Sequence, residues 1–223
     1  MKVGIIGSGL MGGSLFKALK GAELLGMDWP ERIEAFDLII LAVPISAILE
    51  IGAKIKTRRP LLVLDIGSVK EPIAQKFEEW TDASIEFVAS HPMAGKEKSG
   101  FEASDPALFQ DAAWVITPHR KNTERALQII EELIRNTGAI PMRMAAAEHD
   151  RNAALVSQLP YLLSKALFDF VDPEARKMAG PGFHSMVRLA QDNPELRKEI
   201  GFYNRENIRH FLKGYMASLE NLL

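Results

Sequence analysis

Apolar residues open the chain in a short block, and blocks like it recur between polar stretches as far as residue 144. The candidate strands are Val3–Ile6, Leu24–Met27, Leu38–Val43, Leu61–Asp65, Phe87–Ala89, Trp114–Thr117 and Ile140–Met144. Runs this brief read as buried strands, and the segments between them carry helical spacing. Strand alternating with helix predicts an α/β fold of Rossmann type, a mostly parallel sheet with helices on both faces. Only Trp29–Asp37 separate the second and third strands. A parallel crossover usually takes about 10–12 residues including its helix, so this one is expected to be abbreviated to at most a single helical turn. From Ala145 the strand signal stops. Ala145–Phe170 reads as one long helix, with helical stretches at Glu174–Asp192, Glu195–Ile200 and Asn204–Leu222, punctuated by Pro173 and Gly180-Pro181-Gly182. The expected division is an α/β domain over residues 1–144 and an all-helical domain over residues 145–223.

Composition narrows the class of protein. The 223 residues suffice for one large core or two modest ones. With 27 basic and 29 acidic side chains, a net charge of −2 argues against nucleic acid as a partner. The absence of cysteine excludes disulfides, thiolate metal sites and thiol nucleophiles, and no metal site is expected. The first residues already form a strand, so no signal peptide is expected. No apolar stretch reaches the roughly 18–20 residues of a membrane span. The expectation is a soluble, cytoplasmic protein with no membrane partner.

The first strand breaks at Gly7-Ser8-Gly9-Leu10-Met11-Gly12, and a helical pattern follows to about Lys20. Gly-x-Gly-x-x-Gly between a strand and a helix is the dinucleotide-binding fingerprint. Gly7 permits the tight turn, Gly9 lets the backbone approach a pyrophosphate, and Gly12 lets helix and strand pack closely. The helix N-terminus then offers N–H groups and a positive dipole end to the phosphates. An ordinary glycine-rich turn is the plainer reading. Asp28 ends the second strand about 20 residues further on, where a carboxylate accepts hydrogen bonds from ribose hydroxyls. That favours NAD over NADP, although Arg32 lies close by; the plainer reading is a solvated turn residue.

Unusual residues follow the successive strands: Gly7, Asp28, Pro44, Ser68 and His91. In an open parallel sheet those carboxyl ends form the ligand crevice. His91, in His91-Pro92-Met93-Ala94-Gly95, titrates near neutrality and can take a proton from a hydroxyl as hydride leaves the same carbon. The alternative is a histidine that satisfies loop backbone; His119, His149, His184 and His210 have weaker claims. Ser68 can cap the following helix and can bond the substrate hydroxyl, His91 or both, and the two readings are compatible. Arg188 sits on a predicted helix among Met186, Val187, Leu189 and Leu196, where its guanidinium needs a planar anion, an internal carboxylate or a substrate's. Gln158 lies mid-helix two residues before Pro160, and a kinked helix often lines a site.

Together these motifs resemble the prephenate/arogenate dehydrogenase family of tyrosine biosynthesis. The matching segments are Gly7–Ser14, Leu41–Pro44, Asp65–Lys70, His91–Gly95 continuing through Lys96-Glu97-Lys98-Ser99-Gly100, Glu148-His149-Asp150, Ser157–Pro160, and Gly182-Phe183 leading to Arg188. The resemblance implies a dinucleotide-binding domain followed by a helical domain that forms an interlocked homodimer, with NAD held by Gly7–Gly12, Asp28, Val43 and Pro44. It implies oxidative decarboxylation of prephenate, with His91 accepting the ring hydroxyl proton and Ser68 holding that hydroxyl. Arg188, Gln158 and Gly95 would lie with the substrate, Arg188 on a carboxylate. Many relatives carry histidine where this chain has Gln158, so a cationic role there is in doubt. Gln158 and the short crossover are similar to the branch fused to chorismate mutase, which implies a fused or associated mutase and favours prephenate. Arogenate as substrate, and a regulatory module that binds NAD without turnover, are the alternatives.

Overall fold

A computed structural model describes residues 1–52, 54–79, 84–96 and 98–222; Glu97 and Leu223 lie outside the described residues. The chain divides into two compact units, Met1–His149 and Asp150–Leu223.

In the first unit the strands are β1 (Val3–Ile6), β2 (Glu23–Leu25), β3 (Leu38–Leu41), β4 (Leu61–Asp65), β5 (Ile85–Pro92), β6 (Ala113–Thr117) and β7 (Ile140–Arg143). They form one sheet in the order β2-β1-β3-β4-β5-β6-β7, and every pair is parallel except β5–β6. β1 and β3 are buried along their whole length, which is why both read as unbroken apolar runs. The sequence order reverses across β1, with β2 on one side and β3 on the other. That is the switch point where such sheets take ligands. β5 runs well beyond Phe87–Ala89. Its first half pairs with β4 and its second half, Ala89–Pro92, with β6, so His91 lies inside the strand opposite Val115 rather than after it. Polar Ser90 and His91 hid the strand's second half, and the bonds described below explain how β5 tolerates them.

Helices α1 (Leu10–Ala18), α2 (Trp29–Arg32), α3 (Ile45–Gly52), α4 (Glu71–Glu78) and α5 (Glu124–Asn136) connect the strands. In α5, Thr123 caps the N-terminus by accepting from the Ala126 N–H, and Leu127, Ile130, Leu133 and Ile134 recur at helical spacing. They join Ile5, Leu15, Leu38, Leu64, Val88 and Trp114 in the core, each large apolar side chain contributing about 1.5–3 kcal/mol on burial. The second crossover is short, as its length requires, but it holds two turns: α2 and a 3-10 turn at Ile33–Ala35. Trp29, Ile33 and Phe36 are buried along it, with Phe36 lying close over Gly4 of β1.

The predicted long helix is three consecutive pieces: α6 (Ala146–Ala153), a π-helical turn over Ala154–Gln158, and α7 (Leu159–Phe170). The unit boundary falls within α6. The expected stretch at Glu174–Asp192 is also broken, into α8 (Pro173–Arg176), α9 (Pro181–Met186) and a 3-10 turn at Arg188–Gln191. Pro181, which opens α9 after Gly180, interrupts the stretch. α10 (Pro194–Tyr203) and α11 (Arg205–Glu220) complete the second unit, meeting at Asn204. Among the described residues, no helix is long and apolar enough to cross a membrane.

Candidate active site

β1 delivers the chain into a turn at Gly7, whose φ of 110° is one that side-chain-bearing residues rarely adopt. A Cβ on Gly7 would collide with the Ala42 carbonyl, and one on Gly12 with the Gly7 carbonyl. Gly9 is different: a Cβ there meets nothing within 4 Å. The first bond of α1 runs from the Gly13 N–H to the Gly9 carbonyl at 2.9 Å. The N–H groups of Leu10, Met11 and Gly12 therefore have no acceptor within the helix. Exposed Ser8 and Gly9 leave open space in front of these donors, a cradle that fits a pyrophosphate. Val43 lies beside Gly7, where the missing Cβ would touch its Cγ1, and exposed Pro44 begins α3 by accepting from the Ile48 N–H.

Asp28 is exposed at the start of α2, 3.7 Å from the Arg32 guanidinium. The same guanidinium donates to Glu23 at 2.8 Å, which holds it toward β2. Arg32 is thus shared between two carboxylates, Glu23 and Asp28.

Beneath the turn after β4 is a buried polar network that sequence reading missed. Asp65 and Lys70 are fully buried and form an ion pair. The Asp65 carboxylate also accepts from the Gly67 N–H at 2.8 Å and the Ser90 N–H at 3.2 Å. Lys70 donates to the Ser90 carbonyl at 2.7 Å, the Ser90 hydroxyl donates to the Asp65 carbonyl at 2.7 Å, and the Trp114 indole donates to that hydroxyl at 2.9 Å. Burial pushes the Asp65 carboxyl above the usual carboxylate range, against the pull of Lys70, Gly67 and Ser90. The network ties the β4–α4 turn to β5 on either side of two candidate residues, half-buried Ser68 and half-buried His91. Ser68 does not cap α4: that helix begins at Glu71, and its cap position is Lys70. The capping reading for Ser68 is therefore removed.

His91 is not alone. Its Nδ1 lies 2.9 Å from Nε2 of His149, with the rings edge-on at 77°. His149, given a weaker claim from sequence, is 1% exposed and sits on α6. Gly95 is exposed in the loop beyond Pro92, with no heavy atom within 4 Å of a built Cβ.

In the second unit, Gln158 is buried at the end of the π turn. Its Oε1 accepts from Asn204 Nδ2 at 2.9 Å, and the same amide donates to the Asp150 carbonyl at 2.7 Å. In an unbroken α-helix that carbonyl would take the Ala154 N–H, so an outside donor enters the ladder where the π turn begins. The irregularity thus belongs to Asn204 as well as to Pro160. Arg188 opens a 3-10 turn and is exposed beside buried Val187, not drawn into an apolar helix face.

Both units match known families. The model for the nucleotide-binding domain of prephenate dehydrogenase matches residues 17–142, and the model for its dimerization domain matches residues 145–223. The chain belongs to the prephenate dehydrogenase family. It is 30% identical to a prephenate dehydrogenase of Lactococcus lactis subsp. cremoris, over 99% of this chain and 70% of the relative. To that of Bacillus subtilis it is 26% identical, over 92% of this chain and 64% of the relative. The chain thus spans about two thirds of the length of these curated relatives. Among solved structures, it superposes with a TM-score of 0.88 on prephenate dehydrogenase of A. aeolicus in complex with hydroxyphenyl propionate and NAD+. The two are 28% identical, and the match covers 100% of this chain and 89% of that one.

Proposed function

We propose that this chain catalyses the NAD-dependent oxidative decarboxylation of prephenate to 4-hydroxyphenylpyruvate in tyrosine biosynthesis. The observation that carries this reading is His91, held through Nδ1 at the sheet that also bears the glycine cradle, on a chain matched in both units by the family's models.

The N–H groups of Leu10, Met11 and Gly12 hold the pyrophosphate, Asp28 takes the ribose hydroxyls, and Val43 and Pro44 flank the cofactor. Bound NAD supplies the hydride acceptor. His91 takes the ring hydroxyl proton as hydride leaves that carbon, and Ser68 holds the hydroxyl. Arg188 binds a substrate carboxylate in a bidentate fork. Gln158, whose Oε1 is engaged by Asn204, presents its amide as a neutral donor, and exposed Gly95 leaves room for substrate. Oxidation places a carbonyl opposite the ring carboxylate, and loss of CO₂ aromatises the ring. His91 then returns its proton to the phenolate oxygen. Prephenate and NAD+ give hydroxyphenylpyruvate, CO₂ and NADH with no net proton released.

A Cβ at Gly9 meets only open space, so Gly9→Ala isolates the cofactor term from folding. The variant is expected to melt like wild type while its Kd for NAD rises about tenfold, roughly 1.4 kcal/mol. Calorimetric titration with NAD beside a thermal melt checks this; an unchanged Kd would mean no pyrophosphate passes over Gly9.

NADH absorbance on mixing the chain and NAD with prephenate, and in parallel with arogenate, tests the whole reading. Turnover of prephenate alone supports it, and preference for arogenate keeps the His91 chemistry but changes the substrate. NAD binding with neither turned over points to a non-catalytic nucleotide-binding module.

The further parts of the proposal are a homodimer, a cytoplasmic location where NAD is drawn on for biosynthesis, and a chorismate mutase as fused or associated partner. The dimer is supported by the matched dimerization domain and by exposed Phe170, Phe202 and Met216. The mutase rests on Gln158 and the short second crossover alone.

A further inference from the structure

We propose that His149 is a positioning residue that fixes the tautomer of His91. The inference rests on the reading of His91 as the group that takes the substrate proton.

A neutral imidazole carries its one proton on either nitrogen, and the bond made by one nitrogen decides which. Nδ1 of His91 is engaged by Nε2 of His149 at 2.9 Å. Nε2 is therefore the nitrogen of His91 that meets a substrate hydroxyl. It can accept a proton only if the ring's own proton is on Nδ1. That settles the direction of the bond: His91 Nδ1–H donates, and His149 Nε2 accepts. The reverse direction would put the proton of His91 on Nε2, turning the base into a donor that cannot take a second proton from an alcohol.

Two features suit His149 to the task. It is 1% exposed, so water does not compete for Nε2. Its backbone is set on α6, where its N–H donates to the Ala145 carbonyl at 2.9 Å, while His91 is set opposite Val115 in the β5–β6 pair. Two rigid elements thus aim the rings at each other, edge-on at 77°. Once His91 is protonated, the bond becomes charge-assisted, donor cation to neutral acceptor, and strengthens. His149 thereby favours the protonated state of His91 without placing a fixed negative charge beside a dianionic substrate.

The test uses the full chain labelled with 15N-histidine, with the His91 signals identified by their loss in His91→Asn. Above neutral pH, wild-type His91 is expected as the Nδ1–H tautomer, and His149→Leu is expected to shift it toward Nε2–H. In parallel, His149→Leu lowers kcat for prephenate about tenfold or more with KM little changed, less than the roughly 10⁴-fold that follows loss of a charged orienting group. His149→Gln, which returns a neutral oxygen acceptor near the place of Nε2, recovers most of that loss. A wild-type His91 protonated on Nε2, or a tautomer and kcat unmoved in a folded His149→Leu, overturns the proposal. The wild-type spectrum decides even if the leucine variant fails to fold. If wild type turns over no substrate, the functional reading falls on the kinetics, while the tautomer is still decided by the spectrum.

Discussion

Replacing His91 with asparagine is expected to lower kcat for prephenate by about 10²–10⁴-fold, roughly 3–5 kcal/mol of transition-state stabilisation, while the chain keeps its fold. Asparagine places a polar atom near the position of Nδ1, so the buried His149 keeps a partner. The β5–β6 backbone pairing does not depend on the ring. What disappears is the nitrogen that accepts the hydroxyl proton. A steady-state kcat beside a thermal melt separates the two effects. Turnover near the wild-type rate would sink the assignment, and a lowered melting temperature with proportionate loss would make His91 structural.

Lys70→Met is expected to have the largest effect on stability, about 3–5 kcal/mol, because it strands the fully buried Asp65 carboxylate without its cation. The sign of the pH dependence follows from Asp65. Burial already raises its folded-state pKa above the unfolded value near 3.9, and removing Lys70 removes an opposing pull. A carboxyl with a raised folded pKa favours folding below its unfolded pKa and loses that contribution as pH rises through the folded value. The deficit of Lys70→Met should therefore be greatest at neutral pH and shrink as pH falls toward 4. Urea denaturation at several pH values measures it. Adding Asp65→Asn to Lys70→Met should recover part of the loss; a pH-independent deficit would assign it to packing.

The sheet is legible in the sequence because parallel strands are buried on both faces and read as apolar runs between breaks. The glycine loop is legible for a related reason: Gly7 and Gly12 stand where no side chain fits. His91 and Ser68 are legible as polar residues near strand ends. The parts that escape are those made by partners distant in the chain. Lys70 looks like any surface lysine until β4 and β5 pair and bury it against Asp65 and Ser90. His149 has no sign of its role until α6 brings it to His91. Arg188 shows the opposite error, since Met186 and Leu196 are apolar in sequence but exposed in the fold. Local pattern reveals which residues are unusual and leaves open what they touch.

Pro160 marks a kink near Ala154–Gln158, but the π form of the turn is not legible, because one surplus residue changes neither composition nor helical propensity. It acts as a phase shifter. Each residue advances an α-helix by about 100°, so one residue absorbed in the wider turn rotates all that follows by that angle relative to an uninterrupted α-helix. The residues buried along this stretch are Ala153, Ala154, Gln158 and Leu159, then Tyr161 and Ser164. Deleting a single residue from the turn would leave a longer, more regular helix with α7 dialled to the wrong face. In this stretch, chain length is itself a coordinate of the fold.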